Sequence, residues 1–341
     1  MRASLQYFHW AFGVTALGLV LAFWLGWEMG GGLGPALRFL MIAAVLAVLE
    51  ISLSFDNAIV NANKLETMTP VWQRRFLTWG ILIAVFGMRI LFPLLIVVVA
   101  AHIGPLEALR LAATQPADYA HIIEGAHIGI AGFGGAFLMM VALNYFIDEG
   151  KEIDWIAALE RRLRACASIR GLEVALVLAL ALAFAFVLPP QDSHRFLFAV
   201  VAGLLTFLGV EVLGQVLDRA DMAGRAAQGG LGAFLYLEVL DASFSFDGVI
   251  GAFALTQNLF LIAIGLGIGA MYVRSMTLML VERQTLSEFR YLEHGAFWSI
   301  LLLAVIMFAQ TLWHIPEVIT GLIGAALIGM ALLSSLRVRT A

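Results

Sequence analysis

The chain has 341 residues, of which 62% are hydrophobic and only 13% are charged. Soluble proteins usually carry about 25% charged residues, so this composition excludes an ordinary soluble domain. The net charge of −4 is small, and one cysteine, Cys166, excludes an internal disulfide framework. Long apolar runs recur along the whole chain, which predicts an all-α, polytopic helical membrane protein.

The apolar runs predict the membrane spans. A transmembrane helix needs about 20 mostly apolar residues, and the chain has room for about ten. In chain order, the predicted spans TM1 to TM10 cover residues 11–30, 38–61, 77–101, 126–147, 172–188, 196–216, 231–256, 259–281, 296–314 and 317–335. The runs lack the alternation typical of strands. Loop 102–123 receives no role, and loop 148–171 is expected to form an amphipathic cytoplasmic helix.

Basic residues are distributed unevenly between these spans. Fifteen of the 20 fall on the side shared by both termini, and the other side holds only Arg38, Arg110 and Arg195. Because cytoplasmic loops are enriched in Lys and Arg, both termini are predicted to be cytoplasmic. Arg89 and Arg274 remain, deep in TM3 and TM8, where a charge is costly unless it faces a partner or a wet cavity.

TM2 and TM7 carry related acidic motifs. TM2 contains the string EISLSFDN at 50–57, and TM7 contains DASFSFDG at 241–248. In both, an acid stands four residues before Ser-Phe-Asp, and an arginine follows in the next span. Each motif lies in the second of five spans, so the two halves must have opposite orientations. We therefore predict inverted five-helix repeats, residues 1–190 and 191–341, which together form one transmembrane domain.

Five acids fall within these two spans: Glu50, Asp56, Glu238, Asp241 and Asp247. Two arginines cannot neutralise five carboxylates, so either some carboxyls are protonated or a cation resides among them. Purely structural pairing with the arginines is the alternative.

Helix geometry places the TM2 residues on different faces. At 100° per residue, Glu50, Ser54 and Asn57 share one stripe, and Asp56 lies about 120° away from it. This arrangement predicts a local helix break near residues 54–57. Backbone carbonyls freed at such a break would be additional ligands.

TM7 presents the same problem more strongly. On an ideal helix, Glu238 and Asp247 would lie on nearly opposite sides, so one of them would face lipid. We therefore predict a second break near residues 245–248. Gly248 would ease that break, because glycine tolerates unusual backbone angles.

The donor atoms of these motifs are all oxygens, which suit hard cations such as Mn²⁺, Mg²⁺ or Ca²⁺. The predicted metal ligands are Glu50, Asp56, Asn57, Glu238, Asp241 and Asp247. The residues predicted to support them are Ser54, Ser245, Arg89 and Arg274. The cation is expected to be a substrate, and no permanently bound cofactor is expected.

Two acid–histidine pairs flank later spans, Glu124 with His127 and Glu293 with His294. They indicate either a proton path or ordinary polar residues at helix ends, and both interpretations stay open. Glycines at 132, 134 and 135 in TM4, and at 265, 267 and 269 in TM8, are expected to allow close helix packing.

At the acidic motifs the sequence resembles the TerC-like integral membrane family, named for a tellurite-resistance protein. Glu50, Asp56 and Asn57 match its Glu-x-x-x-x-x-Asp-Asn motif. Glu238, Asp241 and Asp247 match its Glu-x-x-Asp-x-x-x-x-x-Asp motif. The strings at 133–138, 155–160 and 291–296 are similar to a branch long catalogued as a domain of unknown function. Gly248 departs from the family pattern, in which many members carry Ser.

The resemblance implies metal-ion export, with manganese as the leading candidate, in a bacterial inner membrane. We therefore expect a secondary transporter and not an enzyme. Its acids between TM2 and TM7 would bind a divalent cation, and protons would compete with that cation for the same carboxylates. Its expected surroundings are the lipid bilayer, with no nucleic-acid partner. Two alternatives stay open: a membrane scaffold of a metal-stress resistance complex, and an intramembrane hydrolase that uses an acid pair.

Overall fold

The computed structural model describes residues 6–80, 83–148, 150–223, 230–283 and 285–340, and these are helical, without strands. The predicted all-α class is therefore confirmed. The helices α1 to α16 are, in chain order, His9–Gly30, Leu33–Leu53, Phe55–Glu66, Pro70–Arg75, Phe92–Ala101, Pro105–Thr114, Pro116–Gly125, His127–Phe146, Ala157–Ala165, Leu172–Val187, Pro190–Ala223, Leu231–Leu255, Leu259–Glu282, Thr285–Glu288, Leu292–Gln310 and Glu317–Thr340. Two π-helical segments, Phe76–Gly80 and Ile83–Leu91, lie between α4 and α5.

Among the described residues, 7 helices are long and apolar enough to cross a bilayer: α1, α2, α8, α11, α13, α15 and α16. The chain is therefore a multi-pass membrane protein. The other three predicted spans correspond to the π-helical segments with α5, to α10 and to α12. Helix α10 has 16 residues, a length of about 24 Å at 1.5 Å per residue. Helix α12 carries three of the acids.

Helix α8 is the most buried of the seven and packs against α11, α12 and α15. Small residues allow this packing. A Cβ atom on Gly203 of α11 would lie 2.4 Å from the carbonyl oxygen of Phe133, and one on Gly132 would lie 2.9 Å from that of Phe196. The expected close packing through the α8 glycines is therefore confirmed.

Helix α13 packs against α1, α2 and α3, and a second glycine seam positions it there. A Cβ atom on Gly265 would lie 2.5 Å from Cβ of Leu46. A Cβ atom on Gly269 would lie 2.4 Å from both Cβ and Cγ of Glu50. The backbone of α13 therefore rests directly on the Glu50 side chain and restricts its rotamers.

The predicted break in TM2 is confirmed. Helix α2 ends at Leu53, Ser54 adopts φ −103° and ψ 21°, and α3 begins at Phe55. The Ser54 hydroxyl donates to Oε1 of Glu50 at 3.3 Å. The backbone hydrogen bonds continue across Ser54, whose N–H donates to the Glu50 carbonyl at 3.0 Å and whose carbonyl accepts from the Ala58 N–H at 3.2 Å. The break places Asp56 in the first turn of α3, where a helix favours negative charge.

The predicted break in TM7 is wrong, because α12 runs continuously from Leu231 to Leu255. Neighbouring segments bury Glu238, so the helix need not unwind to keep this acid away from lipid. Gly248 instead allows the backbone of α12 to approach the Glu50 side chain closely, because a Cβ atom there would lie 3.0 Å from Oε2 of Glu50. A serine at this position would bring its Cβ atom against the Glu50 carboxylate.

The two loops without spans also form helices. Loop 102–123 contains α6 and most of α7, which begin at Pro105 and Pro116. Proline is favoured at a first helical position because its missing N–H would be unpaired there anyway. Loop 148–171 contains α9, as expected, and the buried Glu160 of α9 anchors it to the bundle.

Candidate functional site

Glu50 and Arg89 form a buried ion pair at the centre of the site. Oε1 of Glu50 accepts a hydrogen bond from a guanidinium N–H of Arg89, and both side chains are almost fully buried. Arg89 lies in the π-helical segment Ile83–Leu91. The predicted supporting role of Arg89 therefore has a structural basis, since it neutralises one of the intramembrane acids.

A cavity of about 40 Å³ opens beside this pair. We name it the arginine-lined cavity, and the polar residues that define it are Glu50, Asn57, Asn61, Arg89, Asp241, Ser245, Arg274 and Thr277. The Nδ2 of Asn61 donates to Oδ1 of Asp241 at 2.7 Å. Asn57 is a second hydrogen-bond partner of Asp241. Two helices, α3 and α12, therefore meet through amide–carboxylate bonds.

The side-chain amide oxygens of Asn57 and Asn61 lack hydrogen-bond donors among the described residues. Within the described part of the chain, Oδ1 of Asn57 and Oδ1 of Asn61 are buried without a hydrogen-bond partner. A carboxylate accepts from an amide N–H, so the bonds to Asp241 fix the amides with their oxygens turned elsewhere. Buried polar atoms are nearly always paired. Two unpaired oxygens one helical turn apart are therefore suited to receive a cation.

A second cavity of about 40 Å³ lies on the other side of Glu50. We name it the hydroxyl-lined cavity, and the polar residues that define it are Glu50, Ser52, Ser54, Asp56, Ser299 and Thr320. Oδ2 of Asp56 accepts from the Ser299 hydroxyl at 2.9 Å, and Oδ1 accepts from the backbone N–H of Asn57 at 2.8 Å. Asp56 and Asn57 thus face different cavities, as their angular separation on a helix predicts. Glu50 borders both.

The six predicted ligands therefore do not lie around one point. Glu50, Asn57 and Asp241 line the arginine-lined cavity, and Asp56 lines the other. Among the described side chains, no three His, Cys, Asp or Glu are placed to hold one metal ion. Any cation in the arginine-lined cavity must accordingly use the amide oxygens as well as the carboxylates.

The other two predicted ligands, Glu238 and Asp247, are not among the described residues that line either cavity. Glu238 is buried on α12, its Oε1 would lie 2.7 Å from a Cβ atom on Gly80, and neither carboxylate oxygen has a hydrogen-bond partner among the described residues. The side chain of Asp247 lies outside the described part, although its backbone belongs to α12.

The predicted supporting residues lie close to the cavities. Ser54 bonds Glu50, and Ser245 lines the arginine-lined cavity. Arg274 also lines that cavity and donates from Nε to the carbonyl oxygen of Leu77 at 2.9 Å. This backbone bond anchors Arg274 to the first π-helical segment.

The two acid–histidine pairs lie at opposite ends of the bundle. His127 begins α8 near His314, which follows α15. His294 is in the first turn of α15, and its Nδ1 bonds Oε2 of Glu160 at 2.8 Å. Glu124 is exposed on α7, whereas Glu293 lies beside Asn63 of α3. His294 therefore has a hydrogen-bond partner in Glu160, and the proton path stays a prediction.

Two larger cavities lie at the ends of the motif helices. One of about 660 Å³ is lined by Arg38 of α2 and Leu255 at the end of α12. The other, about 600 Å³, is lined by Lys64 of α3 and Ala233 at the start of α12. The start of α2 therefore lies beside the end of α12, and the two motif helices run antiparallel. The larger inverted repeat stays a prediction.

Sequence reasoning missed Asn61, Ser299 and Thr320. Asn61 follows Asn57 by four residues, so a search for amides on the same helical face would have found it. Ser299 and Thr320 are isolated hydroxyls in apolar helices, without a motif around them. Only the packing of α15 and α16 against α3 brings them to Asp56.

A family model described as a protein of unknown function (DUF475) matches residues 55–341. The chain belongs to the DUF475 family. The DUF475 match includes Asp56, Asn57 and the α12 acids, and it begins directly after the helix break, so Glu50 lies just before it. No curated protein and no solved structure matches the chain. DUF475 is an uncharacterised family, and the resemblance to the TerC-like family stays a prediction.

Proposed function

We propose that this DUF475 protein is a secondary transporter of a divalent metal cation. The observation that carries the proposal is the arginine-lined cavity in the membrane-spanning bundle, which is lined by two carboxylates and by two asparagines whose amide oxygens are unpaired among the described residues. Carboxylate and amide oxygens suit hard cations such as Mn²⁺, Mg²⁺ and Ca²⁺. The resemblance of the acidic motifs to the TerC-like family favours Mn²⁺ and export.

The formal charges of the four ionisable side chains that line this cavity sum to zero when no ion is bound. Glu50 and Asp241 contribute two negative charges, and Arg89 and Arg274 contribute two positive charges. The guanidinium of Arg89 already occupies Oε1 of Glu50. A divalent cation that takes Oε1 of Glu50 as a ligand would displace Arg89, which would couple ion binding to the segment Ile83–Leu91.

The larger cavities support alternating access. They lie at opposite ends of α12, and the small arginine-lined cavity lies between them along the same helix. Transporters built from inverted repeats bind substrate near the bilayer midplane, next to interrupted helices. The break at Ser54 and the antiparallel motif helices are consistent with this architecture.

The orientation and location belong to the same proposal. The fifteen basic residues on the side of both termini favour cytoplasmic termini in a bacterial inner membrane. The Lys64-lined cavity would then open to the cytoplasm and the Arg38-lined cavity to the outside. An exporter would load the cation from the Lys64 side.

Transport is testable with purified protein in proteoliposomes that contain a manganese-sensitive dye. We expect wild-type protein to carry Mn²⁺ and Asp241→Asn to slow the flux at least about tenfold, because a bond to a charged group of about 1.5–3 kcal/mol is lost. Asp118→Asn, on the exposed surface of α7, is the matched control and should retain full flux.

Three results would contradict the proposal. Folded wild-type protein that carries no divalent cation would favour the scaffold, which predicts that partner proteins co-purify with Asp241→Asn as well. Wild-type flux that Asp241→Asn leaves unchanged would remove the arginine-lined cavity as the site. Turnover of a substrate without ion flux would favour the intramembrane hydrolase.

A further inference from the structure

The hydroxyl-lined cavity differs from the arginine-lined cavity in its charge. Among the described residues, no Lys, Arg or His lines it, although two carboxylates do. Glu50 is neutralised from the far side by Arg89. Asp56, with 5% of its surface exposed, has only neutral donors, the Ser299 hydroxyl and the N–H of Asn57. A buried carboxylate without a positive partner is unfavourable.

A second observation points to a missing ligand. Oγ1 of Thr320 is buried in this cavity without a hydrogen-bond partner in the described part of the chain, and the residue is only 8% exposed. It lies on α16, which faces Asp56 across the cavity. Buried hydroxyls are normally paired. An oxygen left unpaired beside an uncompensated carboxylate is suited to bind a cation.

Both ends of the helix break border this cavity. Ser52, Leu53 and Ser54 at the end of α2 line it together with Phe55 and Asp56 at the start of α3. The partial charges of these two helix ends are opposite in sign, so the net charge of the cavity comes from its side chains.

We propose that the hydroxyl-lined cavity binds one small monovalent cation, of the size of Na⁺, through Asp56, Ser299 and Thr320. One uncompensated carboxylate matches one positive charge. The cavity volume of about 40 Å³ is sufficient for one small ion together with water, since a single water needs about 10–15 Å³ of such space.

The shared wall between the cavities gives this ion a role, which rests on the proposed transport function. Glu50 borders both cavities, and its Oε2 lies on the side of Gly248 in the hydroxyl-lined cavity. A monovalent cation that attracts Glu50 withdraws it from a divalent cation in the arginine-lined cavity. The two ions therefore compete, and this coupling is reciprocal. Competition of this kind is what an exchanger needs.

Binding of radiolabelled Na⁺ to the purified protein tests the inference. We expect saturable binding by wild type and an affinity at least about tenfold lower in Thr320→Val, which removes only the hydroxyl; tenfold corresponds to about 1.4 kcal/mol. Ser299→Ala should weaken binding similarly and serves if Thr320→Val fails to fold. The matched control is Thr206→Val, whose hydroxyl donates to a backbone carbonyl away from both cavities.

The same preparations separate this inference from the proposed function. Absence of saturable Na⁺ binding by folded wild type, or unchanged affinity in both Thr320→Val and Ser299→Ala, overturns the monovalent site even if Mn²⁺ flux is normal. Na⁺ binding that survives Asp241→Asn while wild type carries no Mn²⁺ supports the monovalent site and contradicts divalent transport. Competition between Na⁺ and Mn²⁺ in wild type supports both.

Discussion

Replacing Arg89 with methionine is expected to lower the free energy of unfolding by about 3–5 kcal/mol, the range found when one partner of a buried ion pair is removed. Methionine keeps the length and the apolar stem of the side chain, so the change removes mainly the charge. Glu50 would remain buried at the boundary of two cavities, with the neutral Ser54 hydroxyl as its donor in the described part of the chain. Thermal unfolding in detergent measures the loss.

The double variant Glu50→Gln/Arg89→Met distinguishes a charge effect from a packing effect. It removes both charges, so most of the lost stability should return. Arg274→Met is the matched single control, since Arg274 is partly exposed and bonds a backbone carbonyl rather than a carboxylate. If Arg89→Met and Arg274→Met lose equal stability, or if the double variant is no better than Arg89→Met, the Glu50–Arg89 pair is not the reason.

Replacing Glu160 with alanine is expected to have an effect of similar size, about 3–5 kcal/mol. Glu160 is fully buried, at 0% exposure, in the short helix α9. Its carboxylate accepts from Lys151 Nζ at 2.6 Å, His294 Nδ1 at 2.8 Å, Trp298 Nε1 at 2.9 Å, Ile156 N–H at 3.1 Å and Trp155 N–H at 3.2 Å. Alanine would leave all five donors without this acceptor, among them the buried His294.

The pH dependence of unfolding tests the same carboxylate in the wild-type protein, where protonation removes the charge but leaves the side chain in place. Burial alone would raise the pKa of Glu160, but the hydrogen bonds from His294, Lys151 and Trp298 outweigh it and hold the pKa well below its usual value of 4.5. A depressed pKa stabilises the fold above the unfolded value, and this stabilisation is lost as pH falls from about 4.5 through the folded pKa.

Wild type should therefore lose stability below about pH 4.5 more steeply than Glu160→Ala, which has no such carboxylate to protonate. Glu107→Ala, an exposed acid in the first turn of α6, is the control and should follow the wild-type curve. Parallel curves for wild type and Glu160→Ala would show that the Glu160 bonds do not contribute to stability.

The sequence predicted those features that depend on the chain locally. The hydropathy of α1, α2 and α8 marked the spans, and the angle between Asp56 and Asn57 correctly indicated that they face different surroundings. The break at Ser54 followed from the same geometry. In α12 this reasoning failed, because the burial of Glu238 depends on Gly80, a residue in a different helix.

The rest of the candidate site depends on tertiary packing. Nothing in the sequence near Arg89 indicates a π-helical segment, and the isolated hydroxyls of Ser299 and Thr320 have no local pattern. The division of the acids between two cavities arises because Glu50 lies between α12 and α13 on one side and α16 on the other. Such a division is a property of the assembled bundle, which no single span encodes.

The bonds of Glu160 have a mechanical consequence. Glu160 belongs to residues 1–190, whereas His294 and Trp298 belong to residues 191–341. The hydrogen bonds of this buried carboxylate therefore connect the two predicted halves at one end of the bundle. Separating the halves at this end would leave the buried charge of Glu160 without its donors. A movement that keeps these bonds would therefore leave α9 in place relative to His294 and Trp298.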